Sequence, residues 1–323
     1  MSNSQFFSNC TADTIREAAA ALKAGHLVAF PTETVYGLGA DARNPEAVKR
    51  IYEVKGRPSD HPLIVHISSI NQLEKWAKEI PEYAIDLARA FWPGPMTLIL
   101  KRTEIARDFI TGGQDTVGLR VPSDSIGLAL IQEFERISDS AIAAPSANRF
   151  GQVSPTSSGD VQEELGKYLS SFDLVLDGGR SQIGIESTII DCTGISPNIL
   201  RSGFITKEDI ESISGSLDDE WARPSDVKFS GSFEKHYAPK CSVILGGHSI
   251  IGAGYLALFG IETPSGMARL ASPSTIEEFA RVLYSTFREA DREGLAALVV
   301  DPPQGEGLGV AILERLQKAA QGR

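Results

Sequence analysis

Cysteine is scarce in this chain. There are three in 323 residues, Cys10, Cys192 and Cys241, and they lie far apart. With no C-x-x-C pair and no even-numbered framework, neither a disulfide scaffold nor a zinc site is indicated. Reduced thiols and a cytoplasmic location are the expectation. No apolar run approaches the roughly 18 residues of a membrane-spanning helix, so no membrane association is expected. The opening MSNSQFFSNC has no basic segment followed by an apolar stretch, so a secretory leader is not expected either. A basic excess is also lacking: 31 Lys and Arg against 42 Asp and Glu leave a formal net charge of −11. Duplex binding is driven by neutralisation of phosphates and needs the opposite balance, so strong direct tRNA binding is not expected. There is no G-x-x-x-x-G-K-[ST] loop, no Ser-His-Asp order, no paired carboxylates and no metal-ligand spacing.

What is present is an ordinary globular composition, 42% hydrophobic and 23% charged, in a chain long enough for two domains. Short apolar runs alternate with helical patterns. LVAF, PLIVHI, MTLIL, TVGLRVP, SAIAAP, FDLVLD, STIID and NILRSG read as strands, and many are apolar on both faces, as strands covered by helices are. Between the first two, Asn44 and Pro45 open a helix that Gly56 and Pro58 stop, with Ala47, Val48, Ile51 and Tyr52 as its buried stripe. PEYAIDLARAFWPGP repeats the scheme. The pattern fades near Asp209, and residues 212–235 are rich in Ser, Gly and Asp, as a linker would be. Beyond it, CSVILG, YLALFG and AALVVD read as strands. STIEEFARVLYSTFREADREG reads as a helix opened by a Ser274-x-x-Glu277 capping box, and VAILERLQKAA as a last amphipathic helix. The division expected is 1–211, a linker over 212–240, and a smaller α/β domain over 241–323.

The stretch FPTETVYGLGAD, Phe30 to Asp41, fits G-x-G-x-x-A, but a dinucleotide loop must open directly into a helix. Here the helix starts later, at Asn44-Pro45, and PLIVHI ends in Ser68-Ser69 without a ribose-binding acid. Gly37 and Gly39 therefore read as turn residues. Thr32, Glu33, Thr34 and Tyr36 place four hydrogen-bonding side chains just past a strand, where open α/β sheets bind ligands. Lys55 and Arg57 flank a Gly/Pro stop and suit phosphate oxygens. Arg120, Arg201 and His66 sit near strand ends, Ser146 and Asn148 follow SAIA, and Glu186, Ser187 and Thr188 read as a polar strand entry. The inventory is cationic and hydroxylic, without an obvious nucleophile. That suits catalysis by positioning and charge stabilisation, as in attack on a nucleotide phosphate.

PTETVYGLGADARNPEAVKRIYEVKGRP, HPLIVHI, FWPGPMTLIL, TVGLRVPS, APSANRFGQVSPT and IESTIID occur here in the order found in the Sua5/YrdC family. The chain resembles that family over about residues 10–205, and GEGLGVAILERLQKAA resembles its C-terminal Sua5 domain, so the long Sua5 form is implied. The implied fold is an open twisted α/β sheet with a concave active site, plus a smaller Rossmann-like α/β C-terminal domain. The implied activity is a nucleotidyl transfer in which L-threonine, bicarbonate and ATP give L-threonylcarbamoyladenylate, pyrophosphate and water. The product would pass to a separate tRNA threonylcarbamoyl transferase for t6A37 biosynthesis.

The resemblance also implies roles. Lys55 and Arg57 would be catalytic. L-threonine would meet Thr34, His66, Arg120, the Ala144 backbone and Ser187. ATP would meet Arg57, His61, Thr116, Ser146, Asn148, Ser154, Arg201 and Tyr237. Mg²⁺ would be carried mainly by the ATP phosphates, with no protein metal ligands. The family's PGMKYRHYAP segment, which folds toward the site, corresponds to SGSFEKHYAP here, with Ser230, Ser232 and Phe233 as departures. Three other readings are an RNA-binding module of the same fold, a related carbamoyl-adenylate activity of hydrogenase maturation, and an inactive paralogue. The acidic balance, the absence of zinc-finger and acylphosphatase segments, and the intact Lys-x-Arg and Ser-x-Asn argue against them in turn.

Overall fold

The computed structural model describes residues 5–7, 10–215, 217, 227–229, 237–246 and 249–322. Among them, ten strands form one mixed sheet. Its order is Gln5–Phe7, Leu174–Leu176, Val28–Phe30, Gly37–Asp41, Ile142–Ala144, Ile64–His66, Thr116–Arg120, Met96–Lys101, Thr188–Asp191 and Asn198–Arg201. All eight apolar runs expected to be strands before residue 205 contribute to it. A second sheet of four parallel strands runs Ser242–Leu245, Ala297–Val300, Gly254–Leu256 and Ala268–Ala271, with helices Ile276–Arg292 and Leu308–Ala320. This is the expected pair of a large open sheet and a smaller α/β unit. Among the described residues, no helix is long and apolar enough to cross a membrane.

The strand period of two sorts side chains between the faces of the large sheet. Ala29, Leu38, Ala40, Val65, Leu98, Leu119 and Ala143 enter one core cluster with helix residues Val48, Ile51, Leu87 and Ala88. Val28, Phe30, Ile142 and Ala144 enter another, with Leu22 of helix Ala12–Lys23 and Leu130 and Phe134 of helix Ser125–Ser138. Both faces are thus buried, which is why the strands read as near-continuous apolar runs. Helix Pro45–Lys55 forms as its punctuation dictates. Asn44 Oδ1 accepts from the Glu46 and Ala47 amides at 3.1 and 3.2 Å, and Gly56 takes the left-handed cap at φ 61°.

Three expectations change. First, Gly37 and Gly39 are not turn residues: Gly37–Asp41 is a strand, antiparallel to Val28–Phe30 and to Ile142–Ala144. Glycine is needed there for space. A Cβ at Gly39 would fall 2.7 Å from Ile142 Cγ2 and 3.0 Å from the Phe30 ring. Second, the cap of helix Ile276–Arg292 is Thr275, whose side chain accepts from the Glu278 amide, so the capping pair lies one residue later than Ser274 and Glu277. Third, the expected boundary after residue 211 falls inside helix Lys207–Ser214. Of the expected linker, residues 216, 218–226 and 230–236, which include Ser230, Ser232, Phe233 and His236, lie outside the described residues.

Gly39→Ala should cost about 1–3 kcal/mol, as overpacking does. Gly37→Ala should cost less, because its added Cβ would sit 3.3–3.4 Å from its neighbours. Urea unfolding of both variants checks the order; equal losses would mean that the Phe30 ring yields at both positions.

Candidate functional site

A cavity of about 550 Å³, counting its open mouth, rests on the face of the large sheet that carries Phe30 and Ala144. Register builds its floor. His66 pairs with Arg120 on the parallel neighbouring strand, and Ile64 pairs with Ala144 on the antiparallel one. All four line the cavity. The cavity lies over the sheet face and is also lined by Thr32, Thr34, Val35 and Tyr36, just past the end of strand Val28–Phe30. Its walls come from loops folded over that face: Thr32 to Gly37 on one side, Pro145 and Ser146 on another, and Glu186 and Ser187 on a third. The loops are tied to each other through backbone, with the Tyr36 amide on Pro155 O at 2.9 Å and the Ala147 amide on Tyr36 O at 2.8 Å.

Three arginines line this space: Arg57, Arg120 and Arg201. Arg120 is 4% exposed. Its Nη2 donates to Glu33 Oε1 at 2.7 Å and to Thr34 Oγ1 at 2.8 Å, and the Ser123 amide holds the other Glu33 oxygen. Arg120 Nε is buried without a hydrogen-bond partner among the described residues. Arg201 donates to Ser187 O from Nε at 3.1 Å and from Nη2 at 2.9 Å, and to Ser187 Oγ at 3.2 Å. Ser187 Oγ also lies 2.8 Å from Thr97 Oγ1. Arg57 Nη2 donates to Pro62 O at 3.0 Å. Burial draws the Arg57 guanidinium down to about 10 and lowers that of Arg201 as well, so both cations are held against a desolvation penalty. His66 is neutral: burial first, and the Arg120 cation beside it, push it down to about 3. Its Nδ1 has no hydrogen-bond partner among the described residues, and its ring stands edge-on to Phe30 at 5.8 Å.

Of the residues expected to contact an amino acid, Thr34, His66, Arg120, Ala144 and Ser187 all line the cavity, as do Arg57, Ser146, Arg201 and Tyr237 of the nucleotide set. Lys55, His61, Thr116, Asn148 and Ser154 do not. Lys55 is 2% exposed, and its Nζ donates to Ser146 O at 2.6 Å and Asn148 O at 2.5 Å. Burial, with Arg57 nearby, holds its ammonium well below the usual lysine range. It fastens the Ser146–Asn148 loop from behind instead of facing the ligand space. Asn148 closes the same loop, accepting from Ser146 Oγ at 2.5 Å and donating to Arg149 O and Gln152 O. Ser154 Oγ donates to Glu186 Oε1 at 2.6 Å. His61 packs its ring against Phe150, 5.5 Å away, and Tyr52 Oη donates to its carbonyl. Thr116 opens the strand that Arg120 closes, roughly 13 Å away, and lines a smaller cavity of about 280 Å³ that shares Ile64 with the first. Lys228 and Phe229 of the expected linker line that smaller cavity, and the Lys228 amide donates to Gln114 Oε1 at 2.6 Å.

Glu186 was legible only as a polar strand entry, yet it lines the cavity and ties it to the C-terminal unit. Tyr284, Arg315 and Thr97 were missed altogether. No local motif marks them, since Tyr284 and Arg315 reach Glu186 across 98 and 129 residues of chain.

The fold and cavity define an open α/β domain with a buried, cation-lined pocket on its sheet face, joined to a smaller parallel α/β unit. The model of the Sua5/YciO/YrdC family, described as "Telomere recombination", matches residues 20–203, and that of the Sua5 C-terminal domain, described as "Threonylcarbamoyl-AMP synthase, C-terminal domain", matches residues 205–321. The chain belongs to the Sua5/YrdC family. It is similar to the threonylcarbamoyl-AMP synthase of Pyrococcus abyssi, at 42% identity over 95% of this chain and 94% of that one. It is also similar to the Bacillus subtilis enzyme of the same name, at 38% identity over 96% and 93%. A crystal structure of P. abyssi Sua5 complexed with L-threonine matches 98% of this chain and 97% of its own, with 40% identity and a TM-score of 0.86.

The neutral His66 has a consequence for acid stability. Above the ordinary histidine value of 6.5, folded and unfolded chains both hold it neutral. Below 6.5 the unfolded chain takes up the proton, and the folded one does not until about pH 3, so stability is lost as pH falls through that window. Wild type should lose stability more steeply than His66→Gln, by up to about 1.4 kcal/mol per pH unit. Urea unfolding at a series of pH values checks this; parallel slopes would mean that His66 is protonated in the folded protein.

Proposed function

We propose that this chain is a nucleotidyltransferase that joins L-threonine, bicarbonate and ATP into L-threonylcarbamoyladenylate, releasing pyrophosphate and water. The observation that supports this most is the set of three arginines, Arg57, Arg120 and Arg201, lining one hydroxyl-rich cavity. Arg120 already meets Glu33 at 2.7 Å, and three guanidinium groups around one space also suit the oxygens of bound anions. A threonine carboxylate and a triphosphate are anions of that kind. That a relative 40% identical holds L-threonine supports threonine as the amino acid, and the names of the P. abyssi and B. subtilis relatives support the product.

The chemistry follows from where the groups sit. Thr34, His66, Arg120, the Ala144 backbone and Ser187 hold threonine on the sheet face. The neutral His66 takes no share of the carboxylate and leaves it to Arg120. On carbon dioxide the amine nitrogen bonds to carbon as one C=O π pair moves to oxygen and the amine proton leaves to solvent; on bicarbonate a C–O bond breaks and the hydroxyl departs with that proton as water. A carbamate oxygen then attacks the α-phosphorus of ATP. A P–O bond forms, the bond to the β-phosphate bridging oxygen breaks, and pyrophosphate departs with that electron pair. Arg57 stabilises the charge that grows on the phosphate oxygens and the leaving group. Ser146, Arg201 and Tyr237 hold the nucleotide beside it. Lys55 and Asn148 serve by fixing the loop that presents Ser146, and Ser154 through Glu186. His61 and Thr116 meet the parts of ATP that extend toward the smaller cavity.

Mg²⁺ would arrive on the ATP phosphates and offset their charge. The carboxylates nearest the cavity fit that reading better than a protein-held ion: Glu33 is engaged by Arg120 and Ser123, and Glu186 by Ser154, Tyr284 and Arg315. A cytoplasmic location and delivery of the product to a tRNA threonylcarbamoyl transferase complete the proposal.

Mass spectrometry of the product from ATP, L-threonine and bicarbonate, with each substrate omitted in turn, tests the reaction; product formed without threonine would sink it. Thr34→Val should raise the threonine KM about five-fold with less effect on ATP. Arg57→Ala should lower kcat about a hundredfold in a protein that keeps its circular dichroism. Near-normal threonine-dependent pyrophosphate release in the latter would remove Arg57 from the chemistry.

A further inference from the structure

Glu186 stands on the cavity wall, but most of what holds it comes from elsewhere. Ser154 Oγ donates to Oε1 at 2.6 Å. Tyr284 Oη, from helix Ile276–Arg292, donates to Oε2 at 2.9 Å, and Arg315 Nε, from helix Leu308–Ala320, reaches the same oxygen at 3.3 Å. Tyr284 and Arg315 are fully buried, and Glu186 is 6% exposed. A carboxylate used only to stabilise an interface has no need to open onto a ligand cavity.

The same two side chains also address Tyr237. Its ring stacks on Tyr284 at 5.6 Å, and the Arg315 guanidinium lies 5.8 Å over it. Tyr237 takes φ 62°, a left-handed backbone that a tyrosine adopts only when its surroundings impose it. The loop before Glu186 is pressed against the first of these helices. Gly184 has φ 85°, a Cβ there would fall 2.5 Å from Arg281 Cα, and Arg281 Nε donates to Gln182 O at 2.7 Å. The helix pair therefore presents a rigid seat to one carboxylate, and that carboxylate faces the cavity beside Arg201 and Tyr237.

We propose that Glu186 is a positioning residue for the nucleotide side of the cavity, and that the hydrogen bonds it receives from the Tyr284 hydroxyl and Arg315 Nε act on ATP binding through it, apart from the ring contacts both residues make with Tyr237. The inference rests on the reaction proposed above. With its carboxylate fixed, Glu186 sets where the neighbouring Arg201 and Tyr237 can meet the nucleotide. Losing one of its donors lets the carboxylate turn toward the cavity and weakens ATP, while threonine, seated on the sheet face, is little affected.

A double-mutant cycle decides it. ATP and threonine dissociation constants are measured by calorimetry for wild type, Tyr284→Phe, Glu186→Gln and the double variant, together with threonine-dependent pyrophosphate release and melting temperatures. Tyr284→Phe should weaken ATP about 3- to 10-fold, the worth of one hydrogen bond, and leave threonine within about two-fold. Glu186→Gln should weaken ATP at least as much, and the double variant no more than Glu186→Gln alone. Arg315→Lys, which keeps the charge and loses the planar fork, should fall between wild type and Tyr284→Phe. Independent, multiplying effects on ATP overturn the inference, as does a Tyr284→Phe protein that melts earlier yet binds ATP normally. If wild type binds ATP but forms no threonine-dependent product, the reaction falls and the cycle still decides the inference. A wild type that binds no ATP overturns both.

Discussion

The site depends on one pairing of neighbouring strands, the parallel register that sets His66 against Arg120. A cation on the face of a buried sheet is expensive, and the local structure is arranged around that expense. Glu33 and Thr34 arrive from the loop after Val28–Phe30 to engage Arg120, and the Ser123 amide steadies the far oxygen of Glu33. A second charge next to the guanidinium would add repulsion, and His66 avoids it by remaining neutral. The loop that supplies Glu33 and Thr34 also supplies Thr32, Tyr36 and Gly37 to the wall. The floor and one wall are thus consequences of the same charge.

Glycine completes the arrangement. The Phe30 ring lies close to Gly37, which lines the cavity, and to Gly39, and it meets His66 edge-on. Without that clearance the ring would have to move, and the histidine with it. Sheet pairing, aromatic packing and the electrostatics of the floor are therefore one problem with one solution.

Much of this was legible in the sequence. The apolar runs announced their strands because both sheet faces are buried, and Asn44, Pro45 and Gly56 announced their helix because caps are local chemistry. The cavity's Thr34, His66, Arg120, Ala144 and Ser187 were legible through resemblance to a family, from motifs spread over the chain. What failed to show was long-range. GLGAD looked like a turn because glycine marks loops more often than it marks a tight contact, and only the positions of Phe30 and Ile142 tell the two apart. Tyr284 and Arg315 lie in amphipathic helices, where a tyrosine and an arginine read as ordinary surface residues until the tertiary fold buries them on Glu186. TETVY supplies one wall of the cavity, and the register of His66 against Arg120 supplies its floor, which no local motif announces.

The lysine clasp behind the Ser146–Asn148 loop separates the two basic residues of KGRP by shape. An ammonium at the end of a thin stem offers three tetrahedrally arranged donors and can enter a gap between two carbonyls. A guanidinium is flat and broad and cannot, although it suits an oxyanion better. Exchanging Lys55 and Arg57 would preserve the charge of the motif, its spacing and its hydropathy, and would still put each cation in a socket cut for the other. The two positions are specified by stereochemistry, so a search by charge alone would accept chains that could not build this loop.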